Sequence, residues 1–208
     1  AVNHTYDNRL YAFIEKEVAK GRQCYIICPM IEENEKLDLR SVLKFTDELK
    51  NDRLPDLRVE CMHGKLKNNE KQDIMDRFSS GEIDVLVSTT VIEVGVNVPN
   101  ATLMIIENAE RFGLSALHQL RGRVGRGGEK SYCVLVTDSK TKVAKERMSI
   151  MCKSNDGFVI SEKDLHLRGP GDFFGTRQHG LPEMKIANLY KDINILKDVQ
   201  SVAIDLYK

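Results

Sequence analysis

DVLVSTTVIEVGVNVPNATLMIIE, residues 84–107, contains two continuous apolar runs, Asp84–Ser88 and Ala101–Glu107. Apolar runs of this length without polar alternation predict strands that are buried on both faces, as in a parallel sheet. Further strand-like runs occur at Gln23–Cys28, Leu57–Met62 and Ser131–Val136. The sequence therefore predicts several buried strands in one covered sheet.

Segments with helical spacing of apolar residues lie between these strands, at Arg9–Lys20, Asp38–Lys50 and Asn69–Phe78. Gly21 and Gly81 follow the first and the third segment, where a glycine commonly ends a helix. Strands that alternate with helices predict an α/β doubly wound fold with a parallel sheet. In such folds the functional residues follow the carboxyl ends of the strands.

After Thr137 the pattern changes to a helical hairpin, an extended loop and a terminal helix. These segments are predicted at Thr141–Lys153, Ser161–Leu167, Gly169–Gly180 and from about Met184 to the end of the chain. The change in pattern predicts two domains, residues 1–137 and residues 138–208.

The charges balance, with 31 Lys and Arg against 31 Asp and Glu. A nucleic-acid partner would therefore be held by local basic clusters and backbone amides rather than by a uniformly basic face. The five cysteines are odd in number and scattered, which favours buried thiols in a reducing cytoplasm over disulfides. No apolar run reaches the length of a membrane span. Ala1 in place of Met is expected of a fragment of a longer protein.

QLRGRVGRG, residues 119–127, carries arginines interleaved with glycines. If a helix that begins near Ser115 continues through it, Gln119, Arg123 and Arg126 lie on one face. Guanidinium groups bond phosphate oxygens bidentately, and the glycines would let a polyphosphate approach closely. The alternative is a solvated basic helix end, although glycines weaken a helix that has only a structural role.

QLRGRVGRG resembles motif VI of superfamily 2 helicases, and TTVIEVGVNVP, residues 89–99, resembles motif V. Other segments resemble the RecG branch of that superfamily: YIICPMIEE (25–33), SNDGF (154–158), LRGPGD (167–172) and GTRQ (175–178). The resemblance covers nearly the whole chain. It implies a RecA-like second motor lobe, followed by a helical hairpin and the extended loop of a translocation element.

The resemblance implies a nucleotide site that faces another lobe. Arg123 and Arg126 match arginines that reach a triphosphate across a cleft, and a catalytic role is implied for Gln119 as well. The resemblance also implies that Gly95 and Asn97 of the motif V segment bind the nucleotide. Asn97 stands where the branch usually has Asp, so a hydrogen-bond acceptor is retained without its charge, and a weaker nucleotide affinity is expected.

The resemblance implies that residues at two predicted strand ends contact DNA. Thr89 and Thr90 follow a strand, where their hydroxyls and the amides beyond can hold a phosphate or simply cap a helical turn. His63-Gly64 ends another strand, which the resemblance places along the tracked DNA strand. A His-Gly pair is also an ordinary turn.

The glycine-rich loop is flanked by Arg168, Arg177 and Gln178. The resemblance implies that the hairpin senses closure of two lobes and that this loop passes the movement to duplex DNA. The loop is otherwise a simple connector.

The sequence lacks a GxxxxGK[ST] loop and an Asp-Glu pair after a strand, the groups that hold phosphates and magnesium. ATP and Mg²⁺ are therefore expected mainly on a first lobe outside this chain, and the chain alone is expected to be inactive. The implied whole protein is a monomeric ATP-dependent helicase with a wedge domain, which acts on branched double-stranded DNA at stalled forks and recombination intermediates. The alternatives are the equivalent lobe of a transcription-repair coupling factor and a catalytically idle DNA-binding scaffold.

Overall fold

The structure, a computed structural model, describes residues 1–29, 35–89, 98–125 and 127–168. The strands within these residues are β1 Gln23–Ile27, β2 Val59–Met62, β3 Val85–Ser88, β4 Ala101–Ile106 and β5 Tyr132–Leu135. The helices are α1 Asp7–Val18, α2 Glu35–Glu48, α3 Asn68–Ser79, α4 Leu114–Arg121, α5 Lys142–Lys153 and α6 Gly157–Arg168. Short 3-10 turns lie at His4–Tyr6 and Ala109–Arg111, and a π-helical turn, Leu49–Arg53, follows α2.

The five described strands form one parallel sheet in the order β2-β3-β1-β4-β5. Tyr25 of β1 lies opposite Leu86 of β3 and Met104 of β4. Met104 in turn lies opposite Cys133 of β5. A parallel sheet whose first strand is central needs crossover connections on both faces. The predicted α/β doubly wound parallel sheet is therefore confirmed.

Helices cover the two faces of the sheet with separate sets of apolar side chains. One set joins α1 and α2 to alternate strand residues; its buried members are Leu10, Ile14, Cys24, Ile26, Cys28, Val42, Leu49, Leu54, Val59, Val85, Val87, Leu103, Ile105 and Val136. On the opposite face, Tyr25 packs against the fully buried Phe78 of α3, with ring centroids 4.8 Å apart. Because successive side chains of a strand point to opposite faces, burial of both faces explains the continuous apolar runs.

The helix that carries the arginine-rich motif is shorter than the sequence predicts. α4 ends at Arg121 with Gly122 as its C-cap, so the prediction that the helix continues through the motif is wrong. Gly125 adopts φ +81°, a left-handed conformation that an α-helix excludes. Arg123 therefore does not share a helical face with Gln119.

The second helix of the hairpin begins earlier than the sequence predicts. α6 starts at Gly157 instead of Ser161. The cause is a local cap, because the N–H of Phe158 donates to Oδ1 of Asp156 at 2.8 Å. The turn between the two helices is consequently short and well bonded.

All five cysteines are free, and burial of Cys24 and Cys28 confirms the prediction for these two thiols. Cys152 is exposed, so the prediction of burial is wrong there. It lies on α5 beside the buried Met151, and its Sγ accepts from the N-terminal amino group of Ala1 at 3.4 Å. A helix with a single buried face leaves such a position in solvent.

By compactness the chain divides into Ala1–Ser161 and Glu162–Lys208. α5 belongs to the first unit, where it contacts α4 and the 3-10 turn at Ala109–Arg111. The predicted terminal helix lies outside the described residues. None of the described helices combines the length and apolar character that crossing a bilayer requires.

Arg58 and Asp84 form an ion pair at the amino ends of β2 and β3. Oδ2 of Asp84 accepts from Nε of Arg58 at 2.9 Å and from its backbone N–H at 2.8 Å, and Asp84 is 8% exposed. We expect Arg58→Gln to lower the free energy of unfolding by about 2 kcal/mol, since a buried carboxylate would lose its partner. Urea unfolding followed by circular dichroism measures this loss. Arg40→Gln, on the exposed side of α2, is the control, and an equal loss in both variants would contradict the prediction.

Candidate functional site

Polar residues follow the carboxyl ends of neighbouring strands. His63 follows β2, Thr89 follows β3 and Glu107 follows β4. The N–H of Thr89 donates to the carbonyl of Met62 at 3.2 Å, which places Thr89 beside His63. Ligands of doubly wound folds bind at this edge of the sheet. The structure thus brings together two of the residues that the sequence predicts at DNA.

His63 Nδ1 and Thr89 Oγ1 are buried and have no hydrogen-bond partner among the described residues. Thr89 is only 6% exposed. A buried polar atom that lacks a partner costs about 1–3 kcal/mol, and a water molecule or a ligand oxygen would remove that cost. Two such atoms on adjacent strand ends indicate a binding site. Thr90 lies outside the described residues.

A basic cluster surrounds the turn after β2. Burial lowers the pKa of His63, and the positive charges of Lys65 and Lys71 lower it further, against the opposing effect of Glu70. Nζ of Lys71 donates to the carbonyl of Gly64 at 3.1 Å, which ties this turn to α3. The cluster produces a local positive potential in a chain of zero net charge, as binding of a phosphate backbone requires.

α4 presents the first predicted catalytic residue, Gln119, which is exposed. The opposite side of this helix is anchored by the buried Leu114, Leu117 and Leu120. Arg123 lies in the turn beyond the helix, where its N–H donates to the carbonyl of Leu120 at 2.9 Å. The two residues are therefore held by one short element.

The guanidinium of Arg123 is partly exposed and lies near Tyr25. Burial raises the pKa of Tyr25 to about 12, and the charge of Arg123 opposes that rise. Arg123 is therefore close enough to Tyr25 for its charge to act on the phenol. Within the described ranges, no carboxylate pairs with Arg123, whereas Arg22, for example, pairs with Glu129. The charge of Arg123 is thus available to an anion.

Two glycines of the motif are explained by packing. Gly125 has a positive φ, and a Cβ there would lie within 3 Å of Oγ of Ser131. A Cβ on Gly127 would lie 3.1 Å from the carbonyl oxygen of Pro99. The tight turn and its contact with the segment before β4 therefore account for glycine at both positions. Close approach of a phosphate is not needed to explain them.

Arg121 belongs to the same motif but has no role in the sequence-based prediction. Its Nη1 donates to the carbonyls of Met151 and Ser154, both at 2.8 Å, and its Nη2 donates to Nδ1 of His118 at 3.0 Å. A basic residue in the last turn of a helix is the sequence signal that could have indicated such a role. Its contacts with α5 could not be read from the sequence.

Glu107 is a second residue that sequence reasoning missed. It is 9% exposed, and burial raises its pKa to about 7, against the opposing effect of His4 and with support from Asp7 and Asp138. Nε2 of His4 lies 3.9 Å from Oε2 of Glu107 and 3.7 Å from Oδ2 of Asp138. An acidic residue directly after an apolar strand was the available signal.

Several predicted site residues cannot be placed by the structure. Those that lie outside the described residues are Thr90, Gly95, Asn97, Arg126, Arg177 and Gln178. Arg168 ends α6, but its side chain is also outside the described part. Among the described residues, no group of His, Cys, Asp or Glu side chains could hold a metal ion. The described residues fit a nucleotide through its phosphates, which the guanidinium of Arg123 can bond.

The chain is similar to proteins of one family along almost its whole length. The family described as "Helicase conserved C-terminal domain" matches residues 6–128, and the family described as "ATP-dependent DNA helicase RecG, domain 3, C-terminal" matches residues 154–208. The ATP-dependent DNA helicase RecG of Bacillus subtilis (strain 168) is 53% identical over 205 residues, covering 99% of this chain and 30% of the relative. The protein of that name from Synechocystis is 53% identical over 188 residues, covering 90% of this chain and 23% of the relative.

The fold has a solved counterpart. A structure of RecG bound to a three-way DNA junction has a TM-score of 0.72 and 43% identity, covering 94% of this chain and 25% of that one. The match confirms the predicted RecA-like fold. The chain spans less than a third of the length of these relatives. Because the helicase family matches more than half of its residues, the chain belongs to the helicase conserved C-terminal domain family.

Proposed function

We propose that this chain is the second motor lobe of an ATP-dependent double-stranded DNA translocase that remodels stalled replication forks and branched recombination intermediates. The observation that carries the proposal is the guanidinium of Arg123, which is partly exposed and unpaired among the described residues within a motif VI-like segment. The relatives named ATP-dependent DNA helicase support ATP as the fuel. The solved RecG on a three-way junction supports branched DNA as the substrate.

The nucleotide site is shared with a first lobe of the same polypeptide, which supplies the groups that hold the phosphates and Mg²⁺. Arg123 and Arg126 donate to γ-phosphate oxygens and stabilise the charge that spreads over them in the transition state. Gln119 lies in the last turn of α4, just before the turn that carries Arg123, and contributes to the same catalytic site. Gly95 and Asn97 contact the nucleotide. Without the first lobe, the arginines have no phosphate to act on, so the chain alone is inactive.

The loops after β2 and β3 hold the DNA backbone. Thr89 donates its hydroxyl, which has no partner among the described residues, to a phosphate oxygen, and Thr90 extends the same contact. His63 contributes Nδ1, the other buried atom that has no partner among the described residues. Gly64 lets the backbone of the turn approach the DNA. Lys65 adds a positive charge beside this turn. The buried unpartnered atoms of His63 and Thr89 support this assignment, since DNA would supply the missing partner.

The hairpin α5–α6 and the following segment convert lobe closure into movement along duplex DNA, and Arg168, Arg177 and Gln178 take part in this translocation. A boundary near residue 137 separates this element from the lobe. The helicase match ends at residue 128 and the RecG domain 3 match begins at residue 154, which supports a boundary between them. The whole protein acts as a monomer, with a wedge domain, in the bacterial cytoplasm.

Two rival functions are the equivalent lobe of a transcription-repair coupling factor and an idle DNA-binding scaffold. The match of residues 154–208 to RecG domain 3 favours the RecG function over the coupling factor. The test is ATP turnover by the full-length protein with a fork, a linear duplex or no DNA. We expect turnover that a fork stimulates most. A protein that binds forks without turning over ATP would be a scaffold, and the proposal would be wrong.

Thr89→Val tests the DNA contact, because valine keeps the shape of threonine and removes the hydroxyl. We expect the full-length protein to bind duplex DNA about tenfold more weakly, since a hydrogen bond to a charged phosphate is lost. Stability should not fall, because Oγ1 has no partner among the described residues. Fluorescence anisotropy and thermal unfolding measure the two quantities.

The matched control is Thr102→Val, at the opposite end of the sheet. Thr102 is 2% exposed, and its Oγ1 is likewise buried without a partner in the described part of the chain. This variant should keep full DNA affinity. If Thr89→Val instead lowers stability by about 1 kcal/mol and leaves DNA binding intact, Thr89 is an N-cap and the DNA assignment fails.

A further inference from the structure

The amino-terminal segment, residues 1–6, lies against the chain just beyond β5. The N–H of Val2 donates to the carbonyl of Leu135 at 2.9 Å, and the carbonyl of Val2 accepts from the N–H of Thr137, also at 2.9 Å. This bridge is isolated and belongs to none of the five strands. Because two backbone hydrogen bonds contribute only modestly, docking of the segment depends on its side chains as well.

The side chain of His4 lies among three carboxyl groups that come from three different elements. Its Nδ1 is 3.3 Å from both carboxyl oxygens of Asp7, the first residue of α1. Its Nε2 is 3.7 Å from Oδ2 of Asp138, beyond β5, and 3.9 Å from Oε2 of Glu107, at the end of β4. The N–H of His4 also donates to Oδ1 of Asp138 at 3.2 Å. His4 is thus the residue that connects the segment to the carboxyl ends of β4 and β5.

Glu107 is the buried member of this cluster. It is 9% exposed, and burial raises its pKa to about 7; the charge of His4 opposes this rise, whereas the two aspartates add to it. Tyr11 of α1 and Cys28, which follows β1, also face the carboxyl. Burial raises the pKa of both groups, that of Tyr11 to about 12, so neither changes charge in the range where Glu107 does.

We propose that the amino-terminal segment is a pH-sensitive strap that leaves the carboxyl ends of β4 and β5 when Glu107 ionises. While Glu107 is protonated, the imidazole of His4 lies between two carboxylates and the segment stays docked. An ionised Glu107 adds a third negative charge, which burial shields from water. Departure of the segment, together with His4, lets water reach the carboxylate. This device is separate from the proposed function and does not depend on it.

The direction of the pH dependence follows from proton binding. The docked state binds a proton at Glu107 with a pKa of about 7, whereas the open state releases it near the ordinary value of 4.5. Opening therefore becomes more favourable as the pH rises from 4.5 to 7 and levels off above 7. The ratio of open to docked segment should rise about 30-fold from pH 5 to pH 7, and only about twofold from pH 7 to pH 8.

Hydrogen–deuterium exchange of the full-length protein, read by mass spectrometry between pH 5 and pH 8, measures this opening. After correction for the intrinsic exchange rate, peptides that contain residues 1–6 should lose protection about 30-fold from pH 5 to pH 7. They should exchange faster than peptides from β4 at every pH, because the amides of β4 are released only when the sheet itself opens.

Glu107→Gln is the decisive variant, since glutamine keeps the shape of glutamate and does not ionise. Residues 1–6 should then stay protected and lose the pH dependence. Glu17→Gln is the matched control: Glu17 is also buried but is paired with Lys20, and its substitution should leave the pH dependence of residues 1–6 intact. His4→Ala leaves Glu107 unchanged and should lower the protection of residues 1–6 about fivefold at pH 5, since partly exposed charge pairs are lost.

Three results would overturn the strap. One is protection of residues 1–6 that does not change between pH 5 and pH 7. Another is the same loss of protection in Glu107→Gln as in the unsubstituted protein. The third is equal exchange of residues 1–6 and β4, which would mean that the segment leaves only when the sheet unfolds. None of these results bears on ATP turnover, so the proposed function is tested separately.

Discussion

Arg123→Ala is expected to lower the DNA-stimulated kcat for ATP hydrolysis of the full-length protein by about 10³-fold or more, while ATP still binds. A guanidinium that bonds the γ-phosphate acts mainly on the charge that develops in the transition state, so its loss affects kcat more than ground-state affinity. Arg123 is suited to this role because no described carboxylate neutralises it. Steady-state ATPase assays on fork DNA measure kcat, and a fluorescent ATP analogue measures binding.

Arg40→Ala is the control for this prediction, because Arg40 is exposed on α2 and lies outside the motif. It should leave kcat unchanged. Arg126→Ala should behave like Arg123→Ala, and the double variant should lose less than the product of the two losses, since the residues act as a unit. A raised KM with an unchanged kcat would show that Arg123 contributes only to substrate binding, which contradicts the assigned role.

Glu107→Gln is expected to raise the free energy of unfolding by about 3 kcal/mol at pH 8, because burial raises the pKa of this carboxyl to about 7. A carboxyl whose pKa is raised in the folded state binds a proton that the unfolded state releases. Stability therefore falls as the pH rises from the ordinary pKa of 4.5 through about 7, and the full penalty applies above that range. Glutamine is neutral throughout and avoids the penalty.

Urea unfolding at a series of pH values gives the measurement. The gain from Glu107→Gln should be large at pH 8 and nearly absent at about pH 3, well below the ordinary pKa of 4.5, where the carboxyl is protonated in both the folded and the unfolded protein. Glu17→Gln is the matched control, since Glu17 is also buried, at 4% exposed, but is paired with Lys20 at 2.6 Å and lies near Arg22. This variant should lose stability at pH 8. A pH-independent gain in Glu107→Gln would contradict the prediction.

The strands could be predicted from the sequence because a strand that is buried on both faces of a sheet appears as a continuous run of mainly apolar residues. Val85–Ser88 and Ala101–Ile106 are buried throughout, and the corresponding sequence is apolar except for Ser88 and Thr102. His63 and Thr89 could be placed at the functional edge for a related reason, since the residue that follows a parallel strand lies at its carboxyl end. The motif VI-like segment could likewise be found in the linear order of residues.

The sequence could not predict where α4 ends or that Arg121 and Arg123 have separate roles. Both arginines occur in one motif with identical chemistry, yet one bonds the carbonyls of Met151 and Ser154 while the other has no described carboxylate partner. What distinguishes them is the position of α5, which begins more than twenty residues later in the chain.

The sequence by itself determined the α/β doubly wound sheet, the order of its elements and the helicase motifs, because each depends on the pattern of neighbouring residues. Only the tertiary structure decided which described arginine of the motif has no carboxylate partner within the described ranges, which hydroxyl lacks a partner there, and why Glu107 has a raised pKa. These properties arise from burial and from contacts between residues far apart in the chain. A linear pattern does not contain the distances that set the energies of hydrogen bonds and charges.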